Sequence, residues 1–393
     1  MLIMVYLNFK EQNFLKIKMK ISLITSTHFS FDDRIYHHMA ISLLKKGHEV
    51  QLISSFSQNV ENIDENISND SFNGNNLSIR KKIYLFIKSL SNFNPSIIIC
   101  SEPLTVIAAA KYRKISKVKI IYDITEFYPS KKNIKKHSFS TKWFHFFKYL
   151  FFDIYAQKLS DAFIFGEYYK SIIPKFLYSR KPNITISYYP KKNLFPLNIA
   201  KPIKNELNLC YSGPLSIEKG FVNFVNVIKT INKLRPTITI NIKIIGNFVA
   251  EDENLCKKKI ERLKKSNNIE YYKYQPLFKY IDLIKNTDIF MDLRSVDFEN
   301  THCLPIKLFY YIALERPIIF SNLRAIKKEI NIKNFGYLVN PKDSENIAMI
   351  LSNYCKNSNL YLKHCKTARN NYSLNYNWQI IENNFLIFTQ NLN

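Results

Sequence analysis

The chain alternates short apolar runs with amphipathic stretches, and this alternation constrains the fold more than any other feature of the sequence. Residues 20–25 (KISLIT) form an apolar run typical of a buried parallel strand. After them, Asp32 or Asp33 can cap a helix with one apolar face, Gly47 can end that helix, and residues 49–54 can form a second strand. This strand–helix–strand unit predicts a parallel sheet with covering helices.

The same alternation continues along the chain and restarts after a linker. Residues 191–206 contain Pro196 and Pro202 and lack clear periodicity, so we place a domain boundary there. Residues 56–77 are rich in Asn, Asp and Ser and are predicted to be a loop. Further strands are predicted at 96–100, 118–124, 161–166, 183–190, 207–213, 238–247, 269–274, 288–293, 316–321 and 335–340. Helices are predicted at 83–93, 103–114, 220–234, 256–266, 280–287, 306–315, 344–355 and 377–392.

This pattern predicts an α/β protein with two doubly wound, Rossmann-like domains facing a central cleft. Met19 directly precedes the first strand, so residues 1–18 are expected to be an N-terminal extension. The first domain is expected at 19–190, the linker at 191–206 and the second domain at 207–372. Open α/β sheets bind ligands at the carboxyl ends of their strands, so the functional site is expected there.

Charge and cysteine usage limit the class of protein further. The 57 Lys and Arg exceed the 31 Asp and Glu by 26, a surplus that attracts polyanions or an anionic membrane, although the composition is generally rich in Lys. Nucleic-acid binding is supported by charge alone, because zinc-ligand spacing, an aromatic RNA-binding box and a basic zipper are all missing from the sequence. The six scattered cysteines are typical of free thiols in a cytoplasmic protein. A dinucleotide dehydrogenase is disfavoured because GxGxxG follows neither domain's first strand.

Four segments in order resemble the bacterial family 4 glycosyltransferases. They are THFSFDDRIYHHMAISLLKKGHEV (27–50), IIYDITEFYPS (120–130), YSGPLSIEKGF (211–221) and LPIKLFYYIALERPIIFSN (304–322). The resemblance extends from about Met19 to the end of the chain. It implies the GT-B fold and transfer of a sugar from a nucleotide-sugar donor with retention of anomeric configuration. No metal or other cofactor is expected.

The resemblance assigns the donor site to the second domain. Gly213, Lys219 and Gly220 match the family's phosphate loop, whereas Pro214 stands where the family usually has Arg. Lys307, just inside another predicted helix, is the residue expected to replace that Arg. A departing diphosphate carries negative charge that cations and backbone N–H groups must meet. The alternative is that both lysines are merely solvated.

The resemblance also suggests residues that act on the sugar and the acceptor. Glu126 matches a family glutamate and is a catalytic candidate that orients the acceptor hydroxyl or takes its proton, unless it caps the next turn. His28 and Arg34 are expected on the acceptor side. The family's two paired glutamates fall at His302, the second catalytic candidate, and at Tyr310, which puts ribose recognition in doubt. Thr125 replaces a family histidine.

Two further expectations concern the surface and the chain end. Residues 131–152 interleave Lys with Trp, Phe and Tyr, which is typical of a helix lying in a membrane interface or, alternatively, of a helix packed by its aromatic face. The resemblance implies that residues 373–393 form a helix that crosses back to the first domain.

The function expected is transfer of a sugar to a glycan or lipid-linked saccharide in cell-surface polysaccharide synthesis. The expected location is the cytoplasm or the inner face of the cytoplasmic membrane, and nucleic acid is not expected as a partner. Three alternatives stay open: a non-catalytic GT-B binding subunit, a nucleotide-sugar 2-epimerase, and a basic protein that binds nucleic acid or membranes.

Overall fold

A computed structural model describes residues 18–56, 64–135, 137–138, 140–195 and 199–392. Residues 1–17 of the expected extension therefore lie outside the described part. By its internal contacts the chain divides into two compact units, one up to Ile121 and one from Tyr122 to Leu392.

The first sheet has seven strands. Their order is β3-β2-β1-β4-β5-β6-β7. Their bounds are β1 Lys20–Thr25, β2 Glu49–Ser54, β3 Ile67–Asn69, β4 Ile97–Cys100, β5 Lys119–Ile124, β6 Ala162–Phe165 and β7 Asn183–Thr185. The loop predicted at 56–77 is wrong at β3, which pairs in parallel with Val50–Leu52. Only the first of the three β3 residues is buried, so this strand leaves no apolar run in the sequence.

The second sheet has six parallel strands in the order β10-β9-β8-β11-β12-β13. Their bounds are β8 Glu206–Ser212, β9 Thr239–Ile245, β10 Asn268–Tyr272, β11 Ile289–Asp292, β12 Ile318–Ser321 and β13 Gly336–Val339. In both sheets the strand order reverses beside the first strand, at β1/β4 and at β8/β11, which is the topology of a doubly wound fold. The predicted fold class of two Rossmann-like α/β domains is confirmed.

Helices follow most strands. A π-helix at Asp33–Ala40 continues into α1, and short 3₁₀ helices lie at Lys192–Leu194 and Ala250–Asp252. The α-helices are α1 Ile41–Lys45, α2 Ile79–Phe93, α3 Pro103–Tyr112, α4 Lys131–Ile134, α5 Lys142–Leu159, α6 Tyr168–Leu177, α7 Phe221–Leu234, α8 Glu253–Lys264, α9 Leu277–Ile284, α10 Phe298–Thr301, α11 Lys307–Ala313, α12 Arg324–Glu329, α13 Ser344–Lys356, α14 Ser358–Asn375 and α15 Trp378–Gln390. The single helix expected over 131–152 is instead two helices, α4 and α5.

The second sheet is buried on both faces. Leu209 and Tyr211 of β8 belong to one apolar cluster, and Cys210 between them belongs to another. Successive side chains of a strand point to opposite faces, so the two clusters cover opposite sides of the sheet. This arrangement leaves the carboxyl ends of the strands as the place where polar groups collect.

The last helix is anchored next to the predicted linker. The Trp378 backbone N–H donates to the Pro190 carbonyl at 3.0 Å, and the Lys192 N–H donates to Gln379 Oε1 at 3.2 Å. The Trp378 side chain is fully buried and contacts Phe385. These contacts tie α15 to residues 190–192, and its docking on the first domain, like the domain bounds themselves, stays a prediction.

The connections after β8 and β9 approach each other so closely that one position requires glycine. Gly246 has a φ of +150°, and a Cβ atom there would lie 1.9 Å from the carbonyl oxygen of Gly213. A side chain would therefore meet backbone that cannot move without disturbing both strands. This close contact fixes the position of Gly213.

We predict that Gly246→Ala lowers the free energy of unfolding by about 3 kcal/mol, because steric overlap adds to backbone strain. Gly47→Ala is the matched control, since Gly47 has a φ of +95° with no atom within 4 Å of the added Cβ. Its loss should be only about 1 kcal/mol. Urea denaturation of both variants measures the difference, and equal losses would contradict the close approach.

Candidate functional site

A buried ion pair lies at the carboxyl end of β11. Arg294 donates from Nε to Asp292 Oδ1 at 2.8 Å and from Nη2 to Oδ2 at 2.5 Å. Their side chains are only 11% and 7% exposed. Burial by itself would raise the pKa of Asp292, but the Arg294 guanidinium holds that pKa below its ordinary value. The pair is thus fully ionised next to the switch point between β8 and β11.

Lys307, the first residue of α11, adds a second cation at the same place. Its Nζ donates to the carbonyl of Ser212, the last residue of β8. Nζ would also lie 2.5 Å from a Cβ at position 213, so the space that Gly213 leaves is occupied by the ammonium group. Burial lowers the pKa of Lys307 to about 8, against the opposing effect of Asp292. The structure therefore brings together two predicted donor-binding residues and keeps the lysine mostly protonated at neutral pH.

Lys219 lies at the start of α7, just before the N-cap residue Gly220. Its Nζ is 3.0 Å from Glu218 Oε1 and 3.0 Å from Asn300 Oδ1. Asn300 is itself buried and donates to Ser295 Oγ and Asp297 Oδ2. Lys219 is thus held at a helix N-terminus, where the helix dipole favours anions. The alternative that Lys219 is simply solvated fits poorly with these partners.

Gly220 lets α7 begin close to the end of β11. It has a φ of +84°, and a Cβ there would lie 2.2 Å from the Leu293 carbonyl oxygen. Position 214 differs from the arginine of the family pattern, because proline has no cationic side chain. The Pro214 backbone carbonyl accepts a hydrogen bond from the Tyr211 hydroxyl at 2.7 Å.

The two positions of the family's paired glutamates have different surroundings. His302 follows α10, its Nδ1 is 2.8 Å from the Phe298 carbonyl oxygen, and its ring lies 4.7 Å from that of Tyr169. Tyr310 is buried, with ring centroids 5.5 Å from Phe195 and 6.3 Å from Tyr280. Tyr310 therefore packs in the same apolar cluster as Cys210.

Glu126 is exposed on the segment that follows β5. Further along this segment, Ser130 Oγ accepts from the Asn133 N–H at 3.4 Å at the start of α4. Capping of the turn after Glu126 stays the alternative to a catalytic role. The neighbouring Thr125 carbonyl accepts from the Tyr188 hydroxyl at 3.3 Å. An acceptor role for Glu126 stays a prediction.

In the first unit, His28 stands between two carboxylates. Its Nδ1 is 3.6 Å from Asp32 Oδ2 and its Nε2 is 3.9 Å from Glu102 Oε1. Asp32 caps the following helix, as expected, by accepting from the N–H groups of Arg34 and Ile35. Burial acts to raise the pKa of Asp32, but His28 and these N–H groups hold it below its ordinary value. The Arg34 side chain is buried in the same unit.

Glu102 was missed in the sequence although it organises this region. It directly precedes α3 and is 2% exposed. Oε1 accepts from the hydroxyls of Thr25 and Thr27 at 2.6 and 2.7 Å, and Oε2 accepts from the Ser26 N–H at 2.7 Å. It thereby fixes the loop after β1 that leads to His28. The sequence feature that could have identified Glu102 is its position two residues after β4, the strand beside the switch point.

Helix α5, which lies partly in the aromatic stretch 131–152, exposes several of its rings. Trp143, Phe144 and Phe147 of α5 are 69%, 68% and 59% exposed. The buried residues of this helix are Asp153, Ala156 and Gln157, all in its second half. The alternative of a helix packed by its aromatic face is therefore contradicted for these three rings, whereas Phe146 and Tyr149 are half-buried.

The described residues contain neither a membrane-spanning helix nor a metal-ligand cluster. None of the helices in the described ranges is long and apolar enough to cross a bilayer. Likewise, within the part of the chain that the structure describes, no three His, Cys, Asp or Glu side chains are grouped to hold a metal ion.

Comparisons with known proteins agree with this architecture. Residues 198–371 match the family model described as glycosyl transferases group 1. No curated protein sequence matches the chain. Among solved structures, sucrose-phosphate synthase from Thermosynechococcus elongatus has a TM-score of 0.72 at 12% identity, covering 95% of this chain and 99% of that one. HepE from Anabaena, in complex with UDP and glucose, has a TM-score of 0.68 at 13% identity, with coverage of 95% and 99%.

A third similar structure is WaaG, described as a glycosyltransferase involved in lipopolysaccharide biosynthesis. It has a TM-score of 0.67 at 13% identity and covers 94% of this chain and 99% of that one. At such identities the similarity establishes the fold. The chain thus has the GT-B fold, and the match of residues 198–371 to the group 1 model supports a glycosyltransferase of this fold.

Proposed function

We propose that the chain is a retaining family 4 glycosyltransferase that uses a nucleotide-sugar donor. The acceptor is a glycan or a lipid-linked saccharide in the synthesis of a cell-surface polysaccharide such as lipopolysaccharide or capsule. The observation that carries the proposal is the group of cations, Arg294, Lys307 and Lys219, at the carboxyl edge of the second sheet.

The chemistry of sugar transfer requires such a group. The bond from the anomeric carbon to the donor phosphate breaks, and the acceptor oxygen forms a bond to that carbon. The departing nucleoside diphosphate gains a negative charge, which the Lys307 ammonium and the N-terminus of α7 stabilise. The acceptor hydroxyl loses its proton, and Glu126 is the proposed base. His302 is proposed to lie beside the donor sugar.

The similar structures support the donor class. HepE is described in complex with UDP and glucose, so a uridine nucleotide sugar is the first donor to test. WaaG is described as acting in lipopolysaccharide biosynthesis, which supports a saccharide acceptor at the cell envelope. Both statements concern those proteins, and their extension to this chain is our proposal.

A non-catalytic binding subunit is the second candidate. The packing of Tyr310 between Phe195 and Tyr280 favours it, because the resemblance implies a ribose-binding glutamate at this position. An enzyme slowly hydrolyses its donor in the absence of acceptor, whereas a binding subunit leaves the donor intact. A donor-hydrolysis assay therefore separates the two.

We predict that Lys219→Ala weakens nucleoside diphosphate binding by about 1.5–3 kcal/mol, the contribution of a hydrogen bond to a charged group. Lys229→Ala is the control, because Lys229 is an exposed lysine in the second half of the same helix. Isothermal titration calorimetry of both variants gives the comparison. Equal affinities in Lys219→Ala and wild type would remove Lys219 from the donor site.

We also propose that α5 places the protein on an anionic membrane surface, at the inner face of the cytoplasmic membrane. Its exposed rings at Trp143, Phe144 and Phe147 are flanked in sequence by Lys142 and Lys148. Rings insert at the headgroup boundary, while each lysine near an anionic surface contributes about 1 kcal/mol. The two effects should act together.

The membrane proposal predicts co-sedimentation with anionic vesicles that salt weakens without abolishing, because ring insertion is not screened. The double change Phe144→Ser, Phe147→Ser should reduce binding at unchanged charge. The control is Tyr274→Ser, Phe278→Ser, which removes two rings of similar exposure, 67% and 58%, from another surface. Equal binding by both double variants would indicate that the rings of α5 do not insert.

A further inference from the structure

A single buried carboxylate connects the end of β6 with the segment that carries Lys307. Glu167 precedes α6, is 2% exposed and accepts a hydrogen bond at Oε2 from the Leu304 backbone N–H. Its Oε1 lies 3.5 Å from Lys170 Nζ. Leu304 stands three residues before Lys307 and two after His302. The carboxylate of a first-sheet connection thus holds a loop of the second sheet.

The two residues after Glu167 make further contacts with second-sheet segments. The Tyr168 N–H donates to Glu329 Oε1 at 2.9 Å, and the Tyr169 ring lies 4.7 Å from the His302 ring. Three consecutive residues therefore contact the second sheet's connections. Among them, Glu167 is the one whose side chain is buried and charged, and it binds the loop backbone directly.

The charge of Glu167 depends on a small set of neighbours. Burial raises its pKa to about 7, Lys170 and the Leu304 N–H act to lower it, and Glu329 acts to raise it. The thiol of Cys303 interacts with it electrostatically, and burial together with Glu167 raises the pKa of that thiol. A carboxylate accepts a markedly stronger hydrogen bond than a neutral carboxyl group, so the hold on Leu304 weakens as Glu167 becomes protonated.

We propose that Glu167 is a positioning residue for the donor site, whose carboxylate holds the 302–307 segment so that His302 and Lys307 are presented to the nucleotide sugar. The proposal rests on the proposed function, and Glu167 itself need not touch the donor. Its action passes through the Leu304 backbone to the start of α11.

Donor affinity should then have a pH optimum. The fall in affinity on its low-pH side (the low-pH limb) and the fall on its high-pH side (the high-pH limb) should come from different residues. As the pH falls through about 7, Glu167 takes up a proton, the Leu304 bond weakens and affinity falls. As the pH rises through about 8, Lys307 loses its proton and affinity falls again. The diphosphate of a nucleotide sugar is esterified at both ends and does not titrate in this range. The limbs therefore report the protein.

The test is calorimetric titration of UDP-glucose into the full chain between about pH 5.5 and 9, the range that contains both ionisations. Glu167→Gln keeps a hydrogen-bond acceptor for Leu304 and removes the ionisation. It should bind within about threefold of the wild-type optimum and lose the low-pH limb, since one charge-assisted bond becomes neutral. Glu167→Leu removes the acceptor and should bind about tenfold more weakly near the optimum. Both variants should retain the high-pH limb, and the exposed Glu270→Gln should resemble the wild type.

Alkylation of Cys303 gives a readout that needs no nucleotide. Removing the neighbouring carboxylate lowers the pKa of the thiol, so Glu167→Gln should label faster at a given pH, and Glu167→Leu faster still because the segment is released. Cys303→Ser identifies the labelled residue, and the half-buried Cys355 in the same protein serves as the internal reference.

The outcomes separate the two proposals. If the wild type binds UDP-glucose and Glu167→Gln keeps the low-pH limb, the positioning role is overturned. If the wild type binds none of the common nucleotide sugars at any pH, the proposed function is overturned. In that case, an alkylation rate of Cys303 that is the same in Glu167→Leu as in the wild type would also show that Glu167 does not hold the 302–307 segment.

Discussion

The arrangement of charge at the second sheet depends on the buried ion pair between Asp292 and Arg294. Removing one partner of such a pair typically costs about 3–5 kcal/mol, because the other charge stays buried and uncompensated. The positive charge of Arg294 is balanced by Asp292, and that of Lys219 by Glu218. Lys307 adds a further positive charge to these two pairs. Asp292 also helps Lys307 keep its proton against burial. For a site that binds a donor, as we propose here, charges organised in this way meet the condition for electrostatic stabilisation of a leaving group.

The topology explains why these groups meet. In a doubly wound sheet the connections on either side of the switch point run in opposite directions and leave a crevice at the carboxyl ends of the strands. In the first sheet, the crevice beside β1 and β4 holds Glu102 and the loop 25–28. In the second sheet, the crevice beside β8 and β11 holds the ion pair and Lys307. In each case a buried acid orders polar groups around it: Asp292 is the last residue of β11, and Glu102 lies two residues after β4.

Much of the fold follows from local patterns, and most of the site does not. The strands at 20–25 and 49–54 were predicted to the residue because every position after the first is buried, and all of these residues except Gln51 are apolar or small. The helix α14 was missed although its buried residues Tyr361, Cys365, Ala368 and Tyr372 recur at helical spacing, since polar residues surround them. The family resemblance located Gly213 and Lys307. Glu102 and Glu167 were missed because their partners lie far away in the sequence, and Arg294 because the sequence pattern does not show that it is buried with Asp292, two residues before it. Only their place just after a strand marks all three.

Our proposals for this protein all require that the carboxyl edge of the second sheet binds a nucleotide sugar. Thermal unfolding in the presence of a panel of nucleotide sugars, with heparin as a polyanion control, tests it most directly. A ligand at about 100 times its dissociation constant stabilises the native state by about 2.7 kcal/mol, enough to raise the melting temperature by several degrees. We expect the melting temperature to rise with nucleotide sugars of one nucleoside and not with those of the others. No rise with any nucleotide sugar, or the same rise with heparin, would contradict it and favour a protein that binds polyanions through its charge alone.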